Sequence, residues 1–473
     1  MAQARLTTYS ALPGADSQSY HSVRVRPISR VKRFEVGRRL RQDVPRASLG
    51  EWRPPDTRPD PVTQIQRSLQ GRIPSLIPIR IGRMVSSPYG FLRGAGVAMA
   101  NDLSNLPSTG ITPVICGDAH LGNFGFYASP ERELVLDLND FDEAHPGPWE
   151  WDLRRLVTSL HVAGRQNGSR ESQCEEAVMS CVAAYRHSVR VLANQPLLSR
   201  SFPRMDVDLL QTTVTGKSLR ATIGRAAELA RSRTSDRALP RLTTERRGYR
   251  RIVEKPPLVT RVPKVTSQRI GAAIDDYLAT LAPHWRRVLG GYTLIDVAHK
   301  VVGVSSIGLR AYVALLEGSS PDDVIFLQLK QARRSVVARY VHGEVPRHAH
   351  QGQRVVEYQQ ALQTVSDPLL GWTTIDGLPY YVRQFRDMKG AIPLDAMKAG
   401  ALTDYARLVG HLLAKGHART SGASMIAGYV GSSRRLDEAM RQFARAYADQ
   451  IEADHQALVN AVARGLVPSA RVG

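Results

Sequence analysis

Two short acidic turns constrain this chain more than any other feature. Gly117-Asp118-Ala119-His120-Leu121-Gly122-Asn123 follows the apolar run ITPVIC, and Asn139-Asp140-Phe141-Asp142 ends the run LVLDL. Each run predicts a short buried strand, so the carboxylates sit on polar loops at strand ends. Asp118 and Asn123 are five residues apart, and Asp140 follows Asn123 by 17. Oxygen ligands in this arrangement suit Mg²⁺ bound together with phosphate oxygens, and they leave one carboxylate to orient an attacking hydroxyl. Capped turns would account for either motif alone. The two together favour the chemistry.

Around these turns the hydrophobic period changes twice. Residues 91–106, 149–165, 172–196 and 206–235 have helical spacing. From Ile295 the pattern becomes three strands with Gly-containing turns, a helix over 351–365 and a further strand in LPYYVRQFRDMKG, before 396–418 and 434–463 return to helical spacing. This predicts an α+β chain. A small β-rich unit at 291–390 lies between a large-lobe part at 61–200 and closing helices at 391–473. A basic helical insert at 201–290 contains the extended connector PPLVTRVP. The formal charge is +21, of which residues 1–60 contribute +6 and residues 201–270 contribute +10. Residues 1–60, rich in Arg, Pro and Ser, read as a basic, extended or partly disordered arm. Such stretches attract anions, but no zinc finger, RNP or basic-leucine pattern supports nucleic acid as a partner. Three scattered cysteines exclude a disulfide framework. The apolar runs fall short of the ~20 residues of a membrane span, and the N-terminus lacks the apolar core of a signal. A cytoplasmic setting without membrane contact is expected.

GDAHLGN and NDFDEA resemble the catalytic and metal-binding loops of aminoglycoside phosphotransferase-like enzymes within the protein-kinase-like fold. Across most of residues 75–460 the chain resembles the domain-of-unknown-function family 2252, on the strings FLRG, CGDAHLGNFG, DLNDFDEAHPGPWEWDLRRL, KVVGVSSIG, GQRVVEYQQ, SDPLLGW, YYVRQFRDMKG and IAGYVG. The resemblance implies Asp118 as the catalytic-loop Asp, Asn123 as a metal ligand and Asp140 as the principal metal ligand; Asp142, two residues on, is a further candidate to assist. It places His120 where kinases carry a phosphate-facing Lys, and Asp152 at a helix start bracing the loop. The position two before the catalytic Asp, usually His, is Cys116, which reads as a small packed hydrophobe. Arg93 and Arg383 read as forks that bind phosphate or carboxylate, or as braces of the acidic loops.

A kinase-like site also needs a Gly-rich turn and a strand Lys paired to a helix Glu. Nothing before residue 114 resembles them. Later, Gly303, Ser305 and Gly308 follow G-x-G-x-x-G spacing with Ser306 beside them, and Leu309-Arg310 exclude a Walker A loop. Lys330 ends the apolar run VIFLQLK and needs an anionic partner; Glu357 on the next helix would pair with it. A nucleotide lobe placed after the catalytic loops implies a circularly permuted, protein-kinase-like two-lobe fold with a small antiparallel β lobe and a large mainly helical lobe. That order requires Lys330 to approach Asp140 across 190 positions. The expected activity is ATP- and Mg²⁺-dependent phosphoryl transfer to an unidentified hydroxyl-bearing small molecule or protein. The alternatives are AMP transfer to protein, and a non-catalytic nucleotide-binding module whose basic surface serves nucleic acid or protein. His342, His348 and His350 lack a Cys partner and read as a loop, and His411 and His417 are expected to face different directions.

Overall fold

Apolar residues at helical spacing become the long helices of the protein. The computed structural model describes Tyr9, Ser10, Arg24 and residues 27–470, except 247, 248, 302, 304, 305, 344–347, 386, 396 and 421. The helices used below are α1 (Arg30–Asp43), α2 (Trp149–Gln166), α3 (Glu171–Asn194), α4 (Gln351–Leu362), α5 (Ala399–Arg419), α6 (Ala423–Val430) and α7 (Arg435–Ala463). Helix α2 packs against α3, α5 and α7 and is buried along most of its length. Its polar residues are therefore turned inward. Arg154 donates to the Leu49 carbonyl at 3.0 Å and Arg155 to the Leu92 carbonyl at 2.7 Å, as buried donors require. Among the described residues no helix is long and apolar enough to cross a membrane, and all three cysteines are buried and free.

The reading of residues 1–60 as an extended or partly disordered arm is corrected from Arg30 onward. Ser29 caps α1 by accepting from Lys32 N at 3.3 Å. The helix then crosses α6 almost backbone to backbone. A Cβ on Gly37 would lie 1.9 Å from the Met425 carbonyl oxygen, and one on Gly428 would lie 2.0 Å from that of Phe34. Arg41 Nε and Arg46 Nη1 donate to the carbonyls of Tyr429 and Val430 at 2.8 Å each, satisfying the open end of α6. Most of the arm before residue 27 lies outside the described residues.

Nine strands matter here: β1 (Phe124–Ala128), β2 (Leu134–Leu138), β3 (Val259–Arg261), β4 (Thr293–Lys300), β5 (Ala311–Glu317), β6 (Val324–Gln331), β7 (Gly371–Ile375), β8 (Leu378–Gln384) and β9 (Gly390–Ala391). Six form an antiparallel sheet in the order β7-β8-β6-β5-β4-β3, and β9-β1-β2 form a second, smaller antiparallel sheet. The larger sheet takes its edge strand β3 and its covering helix, Lys264–Leu278, from the segment expected to be a helical insert, so the β-rich unit begins before residue 291. That segment also carries a hairpin, Thr243–Arg246 with Tyr249–Ile252. Strand β6 is buried on both faces. Leu327 and Leu329 pack with Ile270 and Tyr277, while Phe326 packs on the opposite side with Val313 and Ile252. Alternation places Gln328 and Lys330 on the Phe326 side. The register sets Lys330 opposite Tyr381 and Gln328 opposite Arg383, so cross-strand neighbours gather four polar side chains on one face.

Candidate active site

The first acidic turn is shaped by Gly117. Its φ is +77°, and a Cβ there would lie 2.2 Å from the Glu143 carbonyl oxygen, so only glycine lets the two acidic turns touch. Asp152, in the first turn of α2, accepts from the backbone N–H of Cys116 at 2.7 Å and of Gly117 at 2.9 Å. It also lies 3.2 Å from His417 Nε2, whose Nδ1 is 2.9 Å from the Tyr185 hydroxyl. Tyr185 donating to Nδ1 leaves Nε2–H to donate to Asp152. The loop is thus braced by α2, α3 and α5. Cys116 donates from Sγ to the Asp140 carbonyl at 3.2 Å, and burial holds it as a thiol.

Asp118 faces α2. It accepts from Arg155 Nε at 2.8 Å. Burial raises its carboxyl to about 7 in spite of Arg155, with Glu143 and Asp140 adding to the rise. Asn123 donates from Nδ2 to the Asp118 carbonyl at 2.6 Å, which leaves its Oδ1 as the atom able to hold a cation. His120 is buried, and its Nδ1 accepts from Gly122 N at 3.1 Å while Nε2 lies 3.8 Å from Asp118. Burial first, then Arg93 and Arg155, push His120 well below its ordinary value. It caps the turn, and its burial disfavours the charge that the phosphate-facing Lys of kinases carries at that position. Arg93 is beside it, with Nε buried and without a hydrogen-bond partner among the described residues.

The second turn is divided between two tasks. Asp140 keeps a buried Oδ1 with no hydrogen-bond partner among the described residues. An unpartnered carboxylate oxygen in such a place is costly without a cation. Asp142 is fully engaged: Oδ2 accepts from Lys330 Nζ at 2.9 Å and Ser306 Oγ at 3.1 Å, and Oδ1 from Tyr381 O–H at 2.7 Å. Burial would raise this carboxyl, but Lys330 and Tyr381 outweigh it and hold it at about 2. Asp142 is accordingly the partner of Lys330.

The expected Lys330–Glu357 pair does not form. Glu357 accepts from Gln353 Nε2 at 2.7 Å and lies 2.8 Å from His348 Nε2. The buried arc of Val355, Val356, Tyr358, Gln359 and Leu362 fixes the rotation of α4 and leaves Glu357 on the opposite side. The residue α4 sends inward is Arg354, which donates to the carbonyls of Asp142 and Arg333 at 2.8 Å each and of Ala144 at 2.5 Å. Gly303 and Gly308 adopt φ of +56° and +88°. Ser306 ties their turn to Asp142, while Ser305 lies outside the described residues. Arg383 donates to Gln328 Oε1 at 3.1 Å and sits 5.7 Å from the centre of the Tyr381 ring. It lines a separate cleft with Lys389 and Asp367.

Asp118, Asn123, Asp140, Asp142 and Ser306 line one cavity of about 600 Å³, and Lys330 backs onto its wall through Asp142. A cavity of that size suits a small-molecule site. Among the described residues no three His, Cys, Asp or Glu side chains gather as a metal cage. The donor set of Asp140 and Asn123 matches a cation that completes its shell with substrate oxygens, as Mg²⁺ does. The model of a family described as "Uncharacterized protein conserved in bacteria (DUF2252)" matches residues 72–461. The chain belongs to the DUF2252 family. No curated protein and no solved structure matches it. The part shared with the DUF2252 family includes both acidic turns, Lys330 and Arg354, and excludes α1.

The sequence reading missed Arg155, Arg354, His417 and Tyr381 as site residues. Arg155 carried a signal, since it stands three residues after Asp152 on the same helix and shares its face. Tyr381 and Arg354 become visible only once the register of β8 and the rotation of α4 are known.

Proposed function

We propose that this DUF2252 protein is an ATP- and Mg²⁺-dependent phosphotransferase of kinase-like arrangement whose nucleotide lobe follows its catalytic loops in the chain. The observation that carries this reading is the contact of Lys330 with Asp142, 188 positions apart, behind the cavity that also holds Asp118, Asn123 and Asp140. Strand Lys, acidic metal loop and catalytic-loop Asp are the three parts that phosphoryl transfer needs near one triphosphate.

In this reading Asp118, oriented by Arg155, takes the proton of an acceptor hydroxyl as its oxygen attacks the γ-phosphorus. The new P–O bond forms as the bond to the β,γ-bridging oxygen breaks, and ADP leaves with that electron pair. Asn123 and Asp140 would hold Mg²⁺, which supplies neutralisation of phosphate charge when bound. Lys330 would bind phosphate oxygens, with Asp142 and Tyr381 orienting it in the role the sequence assigned to Glu357. Of the Gly303–Gly308 turn, Ser306 lines the cavity and would bring the turn toward phosphate.

The test is transfer of label from γ-labelled ATP into a small-metabolite extract. Wild type is expected to yield a labelled product and Asp118→Asn none. Equal labelling by both, or none by wild type across extracts and acceptor proteins, would remove the reading.

A further inference from the structure

The cavity has lining residues to which the proposed phosphoryl transfer assigns no role. Besides the carboxylates it is lined by Arg67 and Arg72 from the end of the Pro61–Ser68 helix and just beyond it, by Arg333 and Arg334 after β6, and by Arg339 on the Ala338–His342 helix. Two segments distant in sequence, 67–72 and 333–339, thus deliver guanidinium groups to one wall.

Arg72 is held by backbone oxygens. It donates from Nε to the Ser68 carbonyl at 3.1 Å and from Nη1 to the Ile307 carbonyl at 2.6 Å, while Arg333 Nη1 reaches the same Ser68 oxygen at 3.5 Å. Among the described residues Arg67, Arg72 and Arg333 form no ion pair with a carboxylate. Of the facing carboxylates, Asp118 is paired with Arg155 and Asp142 with Lys330, Glu143 accepts from the Val336 N–H at 2.6 Å, and Asp140 keeps its open Oδ1. Burial, followed by the nearness of Arg80 and Arg333, disfavours the charged form of Arg72 and outweighs the opposite pull of Glu143 and Asp142. Crowded, pre-oriented guanidinium groups are costly until an anion lies among them, and their planar forks match phosphate and carboxylate oxygens.

We propose that this arginine wall binds the acceptor: a small molecule whose hydroxyl faces Asp118 and whose other end carries a phosphate or carboxylate group, gripped chiefly by Arg72 and Arg333. The hydroxyl part rests on the phosphotransferase reading; the anion site does not. A polycationic acceptor of the aminoglycoside kind would meet like charge here.

The test is calorimetric titration of the full chain with inorganic phosphate and, separately, with succinate, each with and without Mg²⁺ and a non-hydrolysable ATP analogue. At least one anion is expected to bind, and to bind also with the Mg²⁺–analogue complex in place. Which of the two binds better separates phosphate from carboxylate recognition. Arg333→Gln, at an exposed position, and Arg72→Gln should each weaken binding at least tenfold. Binding of neither anion, or equal binding by Arg333→Gln, overturns the proposal. Displacement of the anion by the nucleotide analogue also overturns it, because the arginines would then serve the nucleotide. Anion binding that persists in a protein unable to bind the analogue would remove the phosphotransferase reading and leave the anion site standing.

Discussion

Lys330→Met isolates the contact that joins the two halves of the site. Lys330 Nζ is 2.9 Å from Asp142, and the two side chains are only 6% and 21% exposed. At an effective dielectric constant near 20 the attraction at this distance is about 6 kcal/mol, and desolvation of both ions takes much of it back. The carboxyl's fall from 3.8 to about 2 is the net of burial, Lys330, Tyr381 and Arg383 together, and it sets a scale of about 2–3 kcal/mol for the whole cluster. Because the folded value is depressed, this stability is fully present above the unfolded value and is lost as the pH falls through about 2. Lys330→Met leaves Asp142 with the Ser306 and Tyr381 hydroxyls, so the expected loss at pH 7 is about 2–3 kcal/mol, below the larger cost of a fully stranded charge. Asp142→Asn should cost a similar amount. In the double variant the losses should not add, giving a coupling of about 2 kcal/mol. Urea unfolding followed by tryptophan fluorescence and circular dichroism measures all four corners of the cycle. Losses that add to within about 0.5 kcal/mol would show that the pair contributes nothing beyond its parts and would refute the argument.

Three further perturbations probe other parts of the molecule. Burial raises the Asp387 carboxyl to about 6 despite its contact with Arg132; the stability this group contributes is present below about pH 4 and lost as the pH rises through about 6, so Asp387→Asn should remove about 3 kcal/mol of pH dependence from thermal or urea unfolding across that window. Gly37→Ala would place a Cβ 1.9 Å from the Met425 carbonyl oxygen, which should cost about 1–3 kcal/mol and make α1 susceptible to limited trypsin digestion at Arg33, Arg38 and Arg39. His417→Ala withdraws one donor from Asp152 and leaves the buried Tyr185 hydroxyl without its partner; a loss of about 1–3 kcal/mol is expected, with ATP turnover reduced more than Mg²⁺–ATP affinity.

The acidic turns, their strand ends and the bracing role of Asp152 were legible because local chemistry sets them: a glycine, short apolar runs and a carboxylate at a helix start leave few alternatives. Helices α3, α5 and α7 were legible from their apolar spacing. Glu357 was chosen over Arg354 because a charged residue's side of a helix depends on which apolar arc is buried, and α4 has apolar residues spread widely enough to permit several rotations. Helix α1 read as disorder because it docks through Gly37 and Leu40 with little apolar surface, its contact being glycine against backbone. Strand β3 and the helix after it were assigned to an insert because three paired residues leave no periodicity to detect. Arg155 was overlooked within a quoted motif because its partner, Asp118, belongs to another element.

The central claim is that Asp140 and Asn123 hold a metal that helps bind a triphosphate beside Lys330. Calorimetry of ATP binding to wild type with and without Mg²⁺, and to Asp140→Ala with Mg²⁺, tests it most directly. The account predicts binding by wild type that strengthens at least tenfold with Mg²⁺ and no such gain in Asp140→Ala. Equal affinity in all three titrations, or no binding in any, would contradict it.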